Sequence, residues 1–111
     1  MEKEILYGKV HMKEISDTVL EYYMIIEEIS EEFSQLKSYG VKVNKTTYSP
    51  GGRKTAEMKQ INGIFYRRDD AEEFLDCIMR NTVTPVSLRD VTEDYIVDVL
   101  ERAMEKKHSA V

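Results

Sequence analysis

The sequence predicts an α+β fold: a four-stranded, mainly antiparallel sheet built from two consecutive hairpins, with two C-terminal helices packed on one face. Three observations carry that expectation. Residues 5–66 are rich in β-branched and aromatic side chains with stretches of period-2 apolar alternation. Pro50 and Pro85 punctuate the chain, one inside Ser49-Pro50-Gly51-Gly52 and one just after Thr84. Beyond Arg68 the apolar spacing changes to three and four, the period of helices.

Taken in order, residues 5–12 read as the first strand. Leu6, Val10 and Met12 alternate onto one face with Gly8 between them, and Ile5, Tyr7, Lys9 and His11 fall on the other. Ser16-Asp17 is a turn signal. Two patterns then compete over residues 18–36. Val19, Tyr22, Ile26, Ile29, Phe33 and Leu36 recur at helical spacing, and Thr18-x-x-Glu21 has the form of a capping box. Leu20, Tyr22, Met24 and Ile26 instead share a period-2 face. The apolar residues off the helical stripe (Leu20, Tyr23, Met24, Ile25) favour a strand to about Glu28 and a helical turn from there through Leu36.

Tyr39-Gly40 interrupts the pattern, and residues 41–48 read as the next strand with Val41 and Val43 inward. In Ser49-Pro50-Gly51-Gly52, proline presets φ at the first central turn position and glycine accepts a positive φ at the second. Residues 55–66 return as a strand, and Asn62-Gly63 marks either a bulge or a tight turn. Asp69 or Asp70 is expected to cap a helix whose Glu72 and Glu73 suit its positive end. Its buried stripe is Ala71, Phe74, Leu75 and Ile78, with Cys77 at the edge and Asn81 as the stop. The residue before Pro85 is pushed out of the α region. Ser87 then caps a second helix, with Val86 and Val91 as a hydrophobic staple and Leu88, Val91, Tyr95, Val99 and Ala103 inward. One domain over residues 1–104 and a frayed tail over 105–111 follow.

The chain of 111 residues, 41% hydrophobic, is the size of one ordinary domain that buries roughly two thirds of its extended surface. Its single cysteine excludes an internal disulfide and, with only two histidines, a zinc site. No apolar run approaches the roughly 20 residues of a membrane span. The charged start Met1-Glu2-Lys3-Glu4 predicts no signal peptide. A reduced cytoplasmic location, no membrane, no cofactor and no metal are the expectations.

The net charge of −5 argues against a dedicated nucleic-acid binder, but it conceals a segregation. Residues 14–32 hold seven acids and no Lys or Arg; residues 33–68 hold eight bases and one acid, Glu57; residues 69–76 hold five acids and no base. Either these segments neutralise one another across adjacent strands, or a basic face meets an acidic partner.

Val83-Thr84-Pro85-Val86, Leu88, Asp90-Val91 and Glu93-Asp94-Tyr95 resemble the C-terminal signature of a small uncharacterised protein family of clostridial Firmicutes, and Tyr22-Tyr23 and Tyr39-Gly40-Val41 fit its earlier strands. The resemblance covers about residues 5–100. It implies a bacterial cytoplasmic origin and a compact α+β fold, and it transfers no catalytic residue. Physically the C-terminal motif is a helix–helix corner.

Chemistry is sparse. Cys77 adjoins a buried stripe with no histidine near in sequence to lower its pKa. His11 and His108 lack a metal-ligand companion one helical turn away; His11 would be a pH-sensitive surface group if it meets an acid of the second strand. The paired acids Glu27-Glu28, Glu31-Glu32 and Asp69-Asp70 read as solvated or capping groups rather than a general acid–base pair. Pro50-Gly51-Gly52-Arg53-Lys54 lacks the Walker spacing and the following helix. A helix-turn-helix reading fails because Asp90, Glu93 and Asp94 would face phosphates. No enzyme is expected.

What remains is a non-catalytic regulatory or adaptor domain that binds a protein partner, or a second copy of itself as a homodimer. Its expected surface is the basic hairpin and the strands beside it: Tyr48, Arg53, Lys54, Lys59, Arg67 and Arg68. The alternative is single-stranded nucleic acid on the same surface, with tyrosines stacking bases among Lys42, Lys45, Lys59 and Arg67.

Overall fold

Period-2 alternation wins over helical spacing between residues 17 and 48. Asp17–Glu31 forms β2 and Ser34–Tyr48 forms β3, paired antiparallel from Asp17↔Tyr48 to Glu31↔Ser34. The computed structural model describes residues 2–13, 16–31 and 34–109. Met1, Glu14, Glu32, Phe33, Ala110 and Val111, and the side chains of residues 30, 31, 34, 35 and 106–109, lie outside the described residues. The helical turn expected through Leu36 gives way to strand pairing, with Ile29 opposite Leu36. The physical reason is burial on two sides. Leu20, Tyr22, Met24 and Ile26 enter the core, while Ile25, of opposite parity, is buried at 1% exposure on the other face. A single helical stripe cannot satisfy both.

β1 (Glu2–Lys13) and β4 (Lys54–Phe65) complete a four-stranded sheet of order β1-β2-β3-β4, antiparallel throughout. Two helices follow, α1 (Arg68–Arg80) and α2 (Pro85–Ser109). The expected α+β architecture is the one observed. The core lies between one sheet face and the helices: Leu20, Tyr22, Met24, Ile26, Tyr39, Val41 and Val43 from the sheet meet Ala71, Phe74, Leu75 and Ile78 from α1, joined by Val83 and Leu88. Each fully buried Leu, Ile, Val or Phe contributes about 1.5–3 kcal/mol relative to exposure. Tyr22 spans the layer and donates to the Val83 carbonyl at 2.9 Å, which ties the helix–helix corner to the sheet.

Two bulges interrupt the strands, and the first corrects the faces read from the sequence. In β1 the register shifts between Leu6 and Gly8. Tyr7 is the extra residue, so the strand changes parity there. Leu6 therefore pairs with Tyr23 on the face away from the helices instead of joining Val10 and Met12. Tyr7 turns under α1, and its hydroxyl donates to Asp76 Oδ1 at 2.7 Å. That hydrogen bond, helped by burial, pushes the Tyr7 pKa up to about 12. In β4, Tyr39↔Phe65 and Val41↔Ile61 show the second shift, so Asn62-Gly63 is a bulge rather than a turn. Gly63 takes φ +63° there. Opposite it, a Cβ on Gly40 would stand 2.2 Å from the Ile61 carbonyl oxygen, so the two backbones approach where only glycine fits.

The remaining corrections lie at turns and helix ends. In the β3–β4 turn, Gly52 N–H donates to the Ser49 carbonyl at 2.9 Å and Ser49 N–H to the Arg53 carbonyl at 2.8 Å. The positive φ (+82°) falls on Gly52, one residue later than expected, as in a three-residue loop closed by a left-handed glycine. Neither Asp69 nor Asp70 caps α1: the N-cap position is Arg67, and both acids sit in the first turn, where the helix dipole still favours them. Asn81 ends α1 as expected. Helix α2 begins at Pro85, ahead of Ser87, because proline's missing N–H costs nothing in the first helical position. That earlier start rotates Val86 outward to 81% exposure, and no staple with Val91 forms. Leu88 is buried and Val91 and Tyr95 are half-buried, but Val99 and Ala103 are exposed because α2 outruns the surface it packs on. The helix continues through Ser109, across most of the tail expected to fray.

Candidate binding surface

The hairpin between β3 and β4 places Tyr48, Arg53 and Lys54 together at one end of the sheet. Tyr48 and Lys54 are a cross-strand pair, and Lys54 Nζ stands 6.0 Å from the Tyr48 ring centroid. Arg53 is exposed in the turn. The other three expected residues are not part of this cluster. Lys59 lies midway along β4 on the helix-covered side, paired with Val43. Arg67 and Arg68 lie past the far end of β4, roughly 40 Å of strand away. Arg67 approaches Asp69 at 3.9 Å, and Arg68 reaches Glu72 at 3.2 Å one helical turn on.

The meander decides which cations are neutralised. Acidic β2 lies beside β1 and β3, and Lys37 pairs with Glu28 at 3.3 Å and Lys9 with Glu21 at 3.8 Å. Lys42 forms an ion pair with Glu4 across β2 and stands 4.6 Å from the Tyr23 ring centroid, its side chain only 15% exposed. Here the sheet curls on itself. Glu2 Oε1 on β1 accepts hydrogen bonds from Gln60 at 3.1 Å and Asn62 at 3.2 Å on β4, although two strands separate them. Beneath that bridge Ile25 is buried and Tyr23 donates to Glu21 at 3.2 Å. Burial and the Glu21 carboxylate raise the Tyr23 pKa.

Among the described residues, Lys45, Arg53, Lys54 and Lys59 of the basic segment have no ion pair, and neither does Arg89 of α2. The cross-strand neutralisation open in the sequence thus accounts for Lys37 and Lys42 and leaves the hairpin. The tyrosines divide as well. Tyr39 is buried and Tyr7 sits under α1, so the face away from the helices carries Tyr23, beneath Lys42, and Tyr48 at the tip. Lys45 and Lys59 share the parity of Val43 and lie on the opposite side, so the tyrosine–lysine platform imagined across one face is split between two.

A hollow of about 420 Å³ opens between β4 and the start of α2, lined by Glu57, Met58, Lys59, Pro85, Val86, Arg89 and Asp90. Met58 also lines a second hollow of about 360 Å³ on the other face, with Lys42, Asn44, Thr46, Ala56 and Glu57. The edge strand β4 therefore links both faces to the tip. Met58, Val86 and Arg89 were not expected as binding residues from the sequence. Met58 is visible there only as an outward period-2 position, and Val86 as half of a staple that does not form.

Cys77 and His11 meet different partners. Cys77 is half-buried and its Sγ accepts from Asn81 Nδ2 at 3.6 Å. His11 Nε2 lies 3.9 Å from Asp17 Oδ1, an acid read from the sequence as part of a turn and found at the start of β2. Among the described residues no helix is long and apolar enough to cross a membrane. A model described as a family of unknown function, DUF6514, matches residues 1–98. No curated protein and no solved structure matches the chain.

Proposed function

The chain belongs to that family of unknown function, and from its surface we propose a non-catalytic regulatory or adaptor domain of a clostridial cytoplasm that binds an acidic segment of a protein partner along β4. One observation carries this reading: Arg53, Lys54, Lys59 and Arg89, cations without an internal ion pair, accompany the exposed apolar groups of Tyr48, Met58 and Val86. Cations with no internal acid keep their field for another molecule and accelerate its encounter. The apolar side chains supply the desolvated anchors that charge alone cannot. The C-terminal motif from Val83 to Tyr95 and the single cysteine support the bacterial cytoplasmic setting.

Affinity capture from the native cell with wild-type protein and an Arg53→Glu/Lys54→Glu variant tests the surface. The double reversal should remove the specific partner or weaken its capture by about tenfold or more. Identical partner lists overturn the reading. Single-stranded nucleic acid competes for the same tip, where Lys54 above the Tyr48 ring is the feature it would use. Mobility shifts at two salt concentrations separate the two: a nucleic-acid complex should weaken steeply with salt, and a complex formed at low salt would favour it over the protein partner.

A further inference from the structure

The β4 edge offers backbone as well as side chains. Among the described residues β4 pairs only with β3, so its other side is an open sheet edge. The hairpin turn fixes which groups face that side. Ser49 N–H donates to the Arg53 carbonyl at 2.8 Å and Gly52 N–H to the Ser49 carbonyl at 2.9 Å, so Ser49 uses both its groups across the hairpin. Opposed residues then alternate between bonded and non-bonded pairs along an antiparallel ladder. Thr47↔Thr55, Lys45↔Glu57 and Val43↔Lys59 are therefore the bonded pairs, and Lys54, Ala56 and Met58 turn their N–H and C=O outward. Lys54 through Met58 are all exposed. The β4 bulge comes later, at Asn62-Gly63, so this stretch is regular strand. The other edge strand, β1, is interrupted mid-strand at Tyr7, beneath α1.

A strand laid along this edge would have a hollow on either side. Its alternate residues would meet Pro85, Val86 and Arg89 on the helix side, and Ala56 and Met58 on the other. Val86 and Met58, both exposed, give it an apolar contact on each side. Charge identifies the occupant. Arg53, Lys54, Lys59 and Arg89 outnumber the acids Glu57 and Asp90, and among the described residues none of these groups has an ion pair. Cations on an open edge turn away a neutral strand, which would cover them without a counter-charge, and accept one that brings carboxylates. Resting on the function proposed above, we propose that the acidic segment docks by strand addition. An extended peptide of alternating acidic and apolar residues becomes a fifth strand, bonded to the backbone of Lys54, Ala56 and Met58.

A labelled synthetic peptide alternating Glu and Val tests this by fluorescence anisotropy, beside the same peptide N-methylated at every amide. The parent should bind with Kd of ~100 µM or below. The methylated peptide keeps the charges, loses the ladder and should bind at least ~10-fold more weakly. Ala56→Pro removes an N–H that β3 does not use, so it should keep the urea midpoint of wild type and weaken the parent peptide at least ~10-fold. Arg53→Glu/Lys54→Glu should weaken it by ~10-fold or more as well. Amide exchange needs no variant: bound peptide should slow Ala56 and Met58 at least ~10-fold and leave Thr55 and Glu57, already bonded to β3, unchanged. If only the charge reversal weakens binding, the acidic contact stands and strand addition is overturned. Binding indifferent to the charge reversal overturns both. A parent peptide that does not bind, or binds without slowing those amides, overturns strand addition, and the capture experiment above still judges the acidic contact. A mass of twice 13.0 kDa without peptide, lost in Ala56→Pro, would give the edge to a second copy and overturn the choice of occupant.

Discussion

The two helices cover the same sheet unequally. Helix α1 touches all four strands, and its stripe of Ala71, Phe74, Leu75 and Ile78 is fully buried. Helix α2 is the longer, yet among the described residues the strands it meets are β3 and β4, and it leaves Val86, Val97, Val99, Leu100 and Met104 exposed. One helix spends its apolar side chains on stability, and the other holds them available. The charges follow the same division. Helix α1 answers Arg68 with Glu72 and meets Tyr7 with Asp76, whereas the β4 edge beside α2 keeps Lys54, Lys59 and Arg89 without an ion pair. One surface is saturated within the fold and the other is left unsaturated, which is why the proposed contact is sought on the second.

The sharpest way to break this comparison is to truncate one apolar residue in each helix. Phe74 is fully buried, and its ring meets Tyr95 at 4.7 Å and Phe65 at 5.6 Å between centroids. Phe74→Ala should cost about 3–5 kcal/mol, enough to unfold much of a marginal domain. Val97→Ala on α2 should change the stability of the dilute monomer by less than about 0.5 kcal/mol. Urea denaturation of both variants at low protein concentration checks the pair. A comparable loss from Val97→Ala would mean that α2 is covered within the monomer.

The legible part of this fold was the part with one buried face. Residues 41–48 alternate cleanly, the α1 stripe keeps its spacing, and Pro50-Gly51-Gly52 marks a reversal wherever its left-handed residue falls. Legibility failed where a residue serves two faces or none. Tyr23 and Ile25 blurred β2 because the curled sheet buries side chains on its outer surface as well. Tyr7 inverted the expected faces of β1 because a bulge adds a residue without changing composition. The candidate binding surface was legible only as chemistry. The basic run announced Arg53 and Lys54, but pairing registers decided that Lys42 meets Glu4, that Lys59 turns to the helix side and that Arg67 and Arg68 end a strand's length away.

Glycines give a finer test, because two of them make room for different kinds of neighbour. At Gly40 the obstacle to a Cβ is backbone: the Ile61 carbonyl oxygen at 2.2 Å and Asn62 Cα at 2.8 Å. At Gly8 it is the end of a flexible side chain, Met79 Cε at 2.3 Å. Gly40→Ala should therefore cost about 2–3 kcal/mol by forcing β3 and β4 apart at the bulge. Gly8→Ala should cost about 1 kcal/mol or less, since Met79 can choose another rotamer. Thermal denaturation ranks them, and equal losses would show that α1 is held as rigidly against β1 as β4 is against β3.

A further expected effect concerns the joint between the helices and has a pH signature. Tyr22 is fully buried and donates to the Val83 carbonyl at 2.9 Å, just after Thr82 turns the chain with φ +47°. Tyr22→Phe leaves that carbonyl without its donor and should cost about 1–2 kcal/mol near neutral pH. Burial also pushes the Tyr22 pKa from 10.0 up to about 12. A raised folded-state pKa means that the unfolded chain loses its phenolic proton first as pH rises. The neutral, buried phenol therefore stabilises the fold fully below about pH 10, and that stabilisation drains away between about pH 10 and 12. Tyr22→Phe should flatten this alkaline fall without abolishing it, because Tyr7, also raised to about 12 by its bond to Asp76, titrates in the same window. Urea midpoints of wild type and variant at about pH 8 and about pH 11 make the comparison. If both proteins lose stability equally between those conditions, Tyr22 does not hold the corner through its protonated hydroxyl, and packing of Val83 alone must fix where α2 begins.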